Sequence, residues 1–200
     1  MELIIVDIET TGFNNKSDAI VEIGISLVNT ETKLITPIFN QIVKDENFNE
    51  QKHKNAWIFE NTTLSINDVI SAKPLESYRK EIQNLLDKYP MTAYNKSFDI
   101  RFLKERKFKL NDLKCLMSSA TKFSNYTDKN GKIKKPSAEE IYKQFFPLEI
   151  SYKEEHRASQ DSIDEAKILL HMLSLDDKCL ISEKNIKTKS KKTTIKLPKI

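Results

Sequence analysis

Residues 1–175 are predicted to form one α/β domain. Its mixed central β-sheet, an antiparallel meander extended by parallel strands, is flanked by helices. Three features lead to this prediction. The chain opens on a near-continuous apolar run, Leu3 to Ile8, as expected of a strand covered on both faces. Two further strand-like segments follow across short polar turns. Beyond them the apolar spacing becomes helical with brief apolar interruptions, a pattern that packs as a sheet with helices laid on it.

Taken in order, Leu3–Ile8 ends in the turn Thr11-Gly12-Phe13-Asn14-Asn15. From Ala19 to Val28 the side chains alternate, with Ile20, Glu22, Gly24 and Ser26 on one face and Val21, Ile23, Ile25 and Leu27 on the other. Asn29 to Lys33 is a polar turn. Leu34 to Val43 supplies a third strand, in which Pro37 marks an edge or a bulge because proline cannot donate to a ladder. A short helix is expected over Ser65–Ala72. A longer one follows over Leu75–Asp87, started by Pro74, with Tyr78, Ile82, Leu85 and Leu86 on one face. Met91–Tyr94 reads as a short strand, Phe98–Lys107 as a helix and Leu113–Met117 as a brief strand. Residues 124–136 form a polar, lysine-rich loop. Ser137-Ala138-Glu139-Glu140 is a capping box opening a helix through Phe146. The last helix runs from Ser159 to Leu173, with Ile163, Ala166, Leu169, Leu170 and Leu173 as its apolar face.

The charged content of 31% and mean hydropathy of −0.53 suit a soluble chain. No apolar run approaches the ~20 residues of a membrane helix, and the N-terminus has no secretory pattern. Cys115 and Cys179 are too few for a disulfide scaffold or a zinc site, so a cytoplasmic setting and no membrane are expected. The net charge is +4, but seven lysines fall between Lys184 and Lys199; removing them leaves −3 for residues 1–183. Residues 176–200 therefore read as a basic C-terminal tail, either a solvated end or a contact for nucleic acid or another polyanion.

Acids stand where strands rarely carry them. Asp7 and Glu9 close an apolar run, and residues two apart on a strand share a face. Two like charges about 4 Å apart repel by ~4 kcal/mol at an effective dielectric of 20, so the pair needs a cation or open solvent. Thr10-Thr11-Gly12 beside them offers small residues and backbone N–H groups to a phosphate or nucleoside. Asp99 follows the strand Met91–Tyr94 through Asn95-Lys96-Ser97-Phe98; alone it is explained as a helix-start acid. His156 stands just before the last helix and Asp161 in its first turn.

Each signal is weak alone, but their order and spacing match a known family at all three places. Val6-Asp7-Ile8-Glu9-Thr10-Thr11-Gly12, then Asn95 with Phe98-Asp99, then His156 with Asp161, resemble the three motifs of the DEDDh group of RNase H-like 3′–5′ exonucleases. That group includes the proofreading epsilon subunit of bacterial replicative polymerase, RNase T and oligoribonuclease. Ile20-Val21-Glu22-Ile23-Gly24 and the Pro136-to-Pro147 segment are also similar to it, and the likeness spans residues 2–174. One segment departs: many members carry a histidine–glycine pair near Asn61-Thr62, which helps shape the substrate cleft.

The resemblance implies an RNase H-like exonuclease fold and two Mg²⁺ ions, with Mn²⁺ able to substitute, held by Asp7, Glu9, Asp99 and Asp161. His156 is then the general base. Thr10, Thr11, Gly12, Ile23, Asn95 and Phe98 are the implied substrate contacts. Ile23 and Phe98 would pack against the last bases, although core packing explains Ile23 equally well. The implied partner is nucleic acid with a free 3′ end, DNA favoured over RNA, in proofreading or repair, with a polymerase as a further partner. Two alternatives stay open: an exoribonuclease of the RNase T or oligoribonuclease type, and a non-catalytic, nucleic-acid-binding polymerase accessory.

Overall fold

The computed structural model describes residues 1–149 and 151–180. Strands β1 (Glu2–Thr10), β2 (Ile20–Asn29), β3 (Leu34–Ile42) and β4 (Met91–Thr92) form one sheet in the order β3-β2-β1-β4. β1–β2 and β2–β3 are antiparallel, and β4 joins β1 in parallel. This is the predicted mixed sheet. The helices are α1 (Glu50–His53), α2 (Trp57–Asn61), α3 (Ile66–Ser71), α4 (Arg79–Lys88), α5 (Lys96–Glu105), α6 (Leu116–Ala120), α7 (Ala138–Phe145) and α8 (Ala158–Leu175).

Because β1 is central, both of its faces are covered. Leu3 and Ile5 pack with Tyr94, Leu116, Ile141, Tyr142, Ala166 and Leu169, beneath α6, α7 and α8. Ile4, Val6 and Ile8 pack the opposite way with Ile82, Leu86, Phe102 and Leu103 of α4 and α5. Each such aliphatic side chain, fully buried, contributes ~1.5–3 kcal/mol. A smaller cluster of Ala19, Val21, Ile58, Leu64 and Val69 seats α2 and α3. Arg106, 4% exposed, bonds Asp45 at 2.7 Å and the Asp18 carbonyl at 2.6 Å, fixing the turn that joins β1 to β2 against α5.

Several expectations are corrected. Leu113–Met117 is not a strand: an isolated bridge links Met91 to Asp112, and the chain then enters α6 at Leu116. A five-residue apolar stretch fits a short strand and a helix start equally. The helix expected from Leu75 begins as a 3₁₀ turn, Leu75–Tyr78, before α4. Helices α1 and α2 were not foreseen. The buried face of α8 is centred on Ala158, Ser162, Ala166, Ile168, Leu169 and Met172, while Ile163, Leu170 and Leu173 stay partly covered. Residues just past the end of α8 also pack. Cys179 is fully buried and its carbonyl accepts the Ser119 hydroxyl at 2.7 Å. The rest of the expected tail, 181–200, lies outside the described residues.

Candidate active site

The alternation that points Leu3 and Ile5 at α8 points Asp7 and Glu9 the same way, one strand end further on. Across the ladder Asp7 pairs with Gly24 and Glu9 with Glu22, and a bulge follows between Glu9 and Thr10, a device that re-aims side chains beside many active sites. Gly24 is where α8 lands. A Cβ there would lie 2.1 Å from the Ala158 carbonyl oxygen and 2.5 Å from the Ser159 nitrogen. Ser26 and Ser162 share a hydroxyl–hydroxyl bond of 2.8 Å. Two small residues on β2 thus let the helix start approach the strand closely.

Glu22 completes the joint. Its carboxylate accepts from the Ala158 N–H at 3.1 Å and from Arg157 Nη2 and Nε at 2.8 and 3.0 Å. Arg157, the residue at the cap position, makes no side-chain cap bond, so a carboxylate from β2 satisfies an N–H at the helix start in its place. Arg157 Nη1 also donates to Thr63 Oγ1 at 2.9 Å. Next to this clamp His156 has φ 52°, in the left-handed region, where a non-glycine residue costs ~1–3 kcal/mol and persists only if its surroundings hold it. Its ring meets Trp57 edge-on at 4.9 Å.

The result is a cleft of about 350 Å³ lined by Asp7, Glu9, Asp99, Glu154, His156, Asp161 and Glu165 together with Tyr94, Asn95, Phe98 and Met117. All five expected catalytic positions meet there although the first and last stand 154 positions apart in the chain. Two acids in the cleft were not foreseen. Glu165 is buried and accepts the Tyr94 N–H at 3.0 Å; its place four residues after Asp161, hence on the same helix face, was the available signal. Glu154 lies before His156 in a segment without regular structure, and nothing in its spacing marks it.

Crowding and burial raise the acids' proton affinities. Asp99 is pushed to about 7 mainly by burial, and Asp161 to about 8 by burial and then by Glu154 and Asp164. Asp7 and Glu165 stand well above the ordinary carboxylate range, first from burial and then from neighbouring acids. Glu9 is raised by burial, Asp161 and Glu22. Burial lowers the His156 value, favouring the neutral ring.

These residues fit divalent cations. Asp7 Oδ2 and Asp161 Oδ1 are buried without a hydrogen-bond partner among the described residues, a costly state for carboxylates in an enclosed cluster. One ligand atom each from Glu9, His156 and Asp161 lie within 4.8 Å of one another. No lysine or arginine lines the cleft to neutralise the acids.

A second, mostly apolar hollow of about 420 Å³ adjoins it, lined by Glu9, Thr10, Thr11, Gly12, Phe13, Trp57, Ile58, Phe98 and His156. Phe13 and Phe98 meet edge-to-face at 6.2 Å. Thr10, Thr11, Gly12 and Phe98 are therefore beside the acids, and Asn95 lines the cleft itself. Ile23 is not: it is fully buried in the core on the opposite face of the sheet, where neighbours alternate away from Glu22. The N–H of Thr11 is also spent, on the Ala19 carbonyl at 2.9 Å, and its hydroxyl accepts from the Ala19 N–H at 2.9 Å.

The family model described as exonuclease, RNase_T, matches residues 4–169. A curated relative, the PolC-type DNA polymerase III of Caldanaerobacter subterraneus subsp. tengcongensis, is 28% identical over 176 residues, 86% of this chain; the chain spans only 12% of that relative's length. Among solved structures, the nuclease domain of 3′hExo, a DEDDh family member bound to rAMP, is similar at TM-score 0.64 and 17% identity, covering 90% of this chain and 94% of that one. E. coli Exonuclease I in complex with a dA16 oligonucleotide is similar at TM-score 0.65 and 10% identity, covering 90% of this chain and 42% of that one.

Proposed function

The chain belongs to the RNase_T exonuclease family, as a 3′-exonuclease of the DEDDh type, and from that premise we propose that it shortens DNA from single-stranded or frayed 3′ ends, releasing nucleoside 5′-monophosphates. The observation that carries this reading is the convergence of Asp7, Glu9, Asp99 and Asp161 with His156 in a cleft without lysine or arginine. The DNA polymerase relative supports DNA as substrate and a role in proofreading or repair.

Exonucleases of this type use divalent metals. Asp7, Glu9, Asp99 and Asp161 are the residues we assign to two Mg²⁺ ions, whose oxygen preference suits carboxylates. When bound, such a pair activates a water and steadies the attacking and leaving oxygens of an in-line displacement. The chain's own groups do the rest. His156, held next to Glu9 and Asp161, takes the proton of the attacking water on an imidazole nitrogen; burial keeps that ring neutral and ready to accept. A base so positioned is worth ~10²–10⁴-fold. Glu9 and the Thr10 backbone meet the terminal 3′-hydroxyl. Phe98, with Phe13 and Trp57 across the apolar hollow, stacks on the last bases, a contact worth ~1–3 kcal/mol per base and tolerant of sequence.

The test is hydrolysis of matched DNA and RNA oligonucleotides in Mg²⁺, with released mononucleotides identified. Faster release from DNA is expected. Faster release from RNA would replace the substrate class and leave the chemistry. No release from either would move the chain to the non-catalytic reading.

A further inference from the structure

Bound metal would offset the acids of the cleft itself, but the strand upstream of the terminal nucleotide has its phosphates outside the cleft, where positive charge has to come from the protein. Besides Lys153 and Arg101, whose charges act on His156 and Asp99, the described residues offer a lysine-bearing turn at the cleft wall. Tyr126 to Lys134 form a tight antiparallel turn: Thr127 bridges Ile133, the Lys134 N–H donates to the Tyr126 carbonyl at 3.0 Å, and the Asp128 N–H to the Lys132 carbonyl at 2.8 Å. Gly131 supplies the positive φ of 75° at the tip. Asp128 is exposed and shapes the turn: its Oδ1 accepts the N–H groups of Asn130 and Lys132 at 2.8 and 3.0 Å.

The lysines of this turn divide into two kinds. Lys134 is half-buried, bonded to Glu140 at 2.6 Å and seated over the Tyr126 ring, and it pins the turn to α7. Lys129, Lys132 and Lys135 are exposed and make no ion pair among the described residues. The base of the turn is anchored in the cleft wall. The Tyr94 hydroxyl bonds the carbonyls of Pro136 and Ser137 at 2.9 and 3.0 Å, and Tyr94, Ser137 and Ala138 all line the acid cleft. Lys135 is two residues from Ser137, Lys132 five and Lys129 eight, so the row extends at most ~28 Å from the wall.

We propose that this lysine turn is a guide rail for the nucleic-acid strand upstream of the terminal nucleotide, with Lys129, Lys132 and Lys135 each facing a backbone phosphate. It would set affinity for long strands and leave the hydrolysis of short ones unchanged. The inference rests on the exonuclease reading for what the cleft receives.

The test uses the full chain with K129Q/K132Q/K135Q. Binding of a labelled single-stranded 12-mer is measured by anisotropy in EDTA, at 50 and 200 mM salt, alongside hydrolysis of a dinucleotide in Mg²⁺. Three phosphate contacts at ~0.7 each give a salt slope steeper by ~2, so over that range the unaltered chain should lose ~20-fold more affinity than the variant. Dinucleotide hydrolysis should be equal in the two. An equal salt slope would overturn the guide rail. A matching loss on the dinucleotide would overturn it too, by placing the effect in the cleft. Absence of dinucleotide hydrolysis in the unaltered chain sinks the exonuclease reading separately, because the anisotropy comparison in EDTA needs no catalysis.

Discussion

Gly24→Ala isolates how the fold positions helix α8, which carries the proposed catalytic residue Asp161. The perturbation is one methyl group, placed 2.1 Å from the Ala158 carbonyl oxygen and 2.2 Å from its carbon. These are backbone atoms, which cannot rotate away as a side-chain end can. To restore even a 3.0 Å contact the start of α8 must retreat by roughly 1 Å, and a misplacement of that size can cost ~10²-fold in rate. Overpacking of a closed joint also costs ~1–3 kcal/mol of stability. Gly24 touches neither acids nor substrate by way of a side chain, so the loss must come through His156 and Asp161, which ride on that helix start. The assay pairs kcat on a single-stranded oligonucleotide with urea unfolding. A fall of about a hundredfold in kcat with a folded, destabilised protein is expected. Unchanged turnover would refute the reasoning, since it would mean that the position of α8 on β2 does not set the geometry of the site.

Further outcomes follow from the same arrangement. His156→Ala should lower turnover by ~10²–10⁴-fold with little change in substrate affinity; a rate near that of the unaltered chain removes the base role. Glu22→Gln should lower stability by ~1–3 kcal/mol, read as a lower urea midpoint. It should lower kcat as well, because Arg157 and the Ala158 N–H lose a charged acceptor; a stability loss alone would limit Glu22 to a structural part. The raised carboxyls give a pH signature. With folded values up to about 8 for Asp161 against an ordinary 3.8, the fold retains protons that the unfolded chain has released. In EDTA, stability contributed by the protonated groups is therefore present at low pH and is lost as pH rises through the interval from about 4 to about 8. Mg²⁺ requires the ionised acids, so the melting-temperature gain it confers should grow over pH 6 to 8.5; a constant gain would contradict the assignment.

The parts of the molecule legible in the sequence are those governed by local period. β1 shows its two faces because strand side chains alternate, and the same rule placed Asp7 and Glu9 together. The capping box at Ser137 forms as read, with Ser137 and Glu140 bonded reciprocally. The missed parts depend on tertiary contact. The cap of α8 comes from Glu22, 136 residues before Ala158, and no local pattern around Arg157 announces it. Glu165 was missed because the reading of α8 rested on its aliphatic residues and on Asp161, whereas the buried face also carries Asp164 and Glu165. Helices of four and five residues such as α1 and α2 are too short to display a helical period. Ile23 follows from parity after all: on β2 it alternates away from Glu22, and so from the cleft.

The central claim is that the acids gathered around Asp7 use divalent metal to cut the terminal phosphodiester at a 3′ end. Its most direct test is a time course with 5′-labelled linear single strands and a circular strand of the same sequence, in Mg²⁺ and in EDTA. The account predicts progressive one-nucleotide shortening of the linear strand in Mg²⁺, none in EDTA, and an intact circle throughout. Cuts within the circle, or shortening that persists in EDTA, would contradict it.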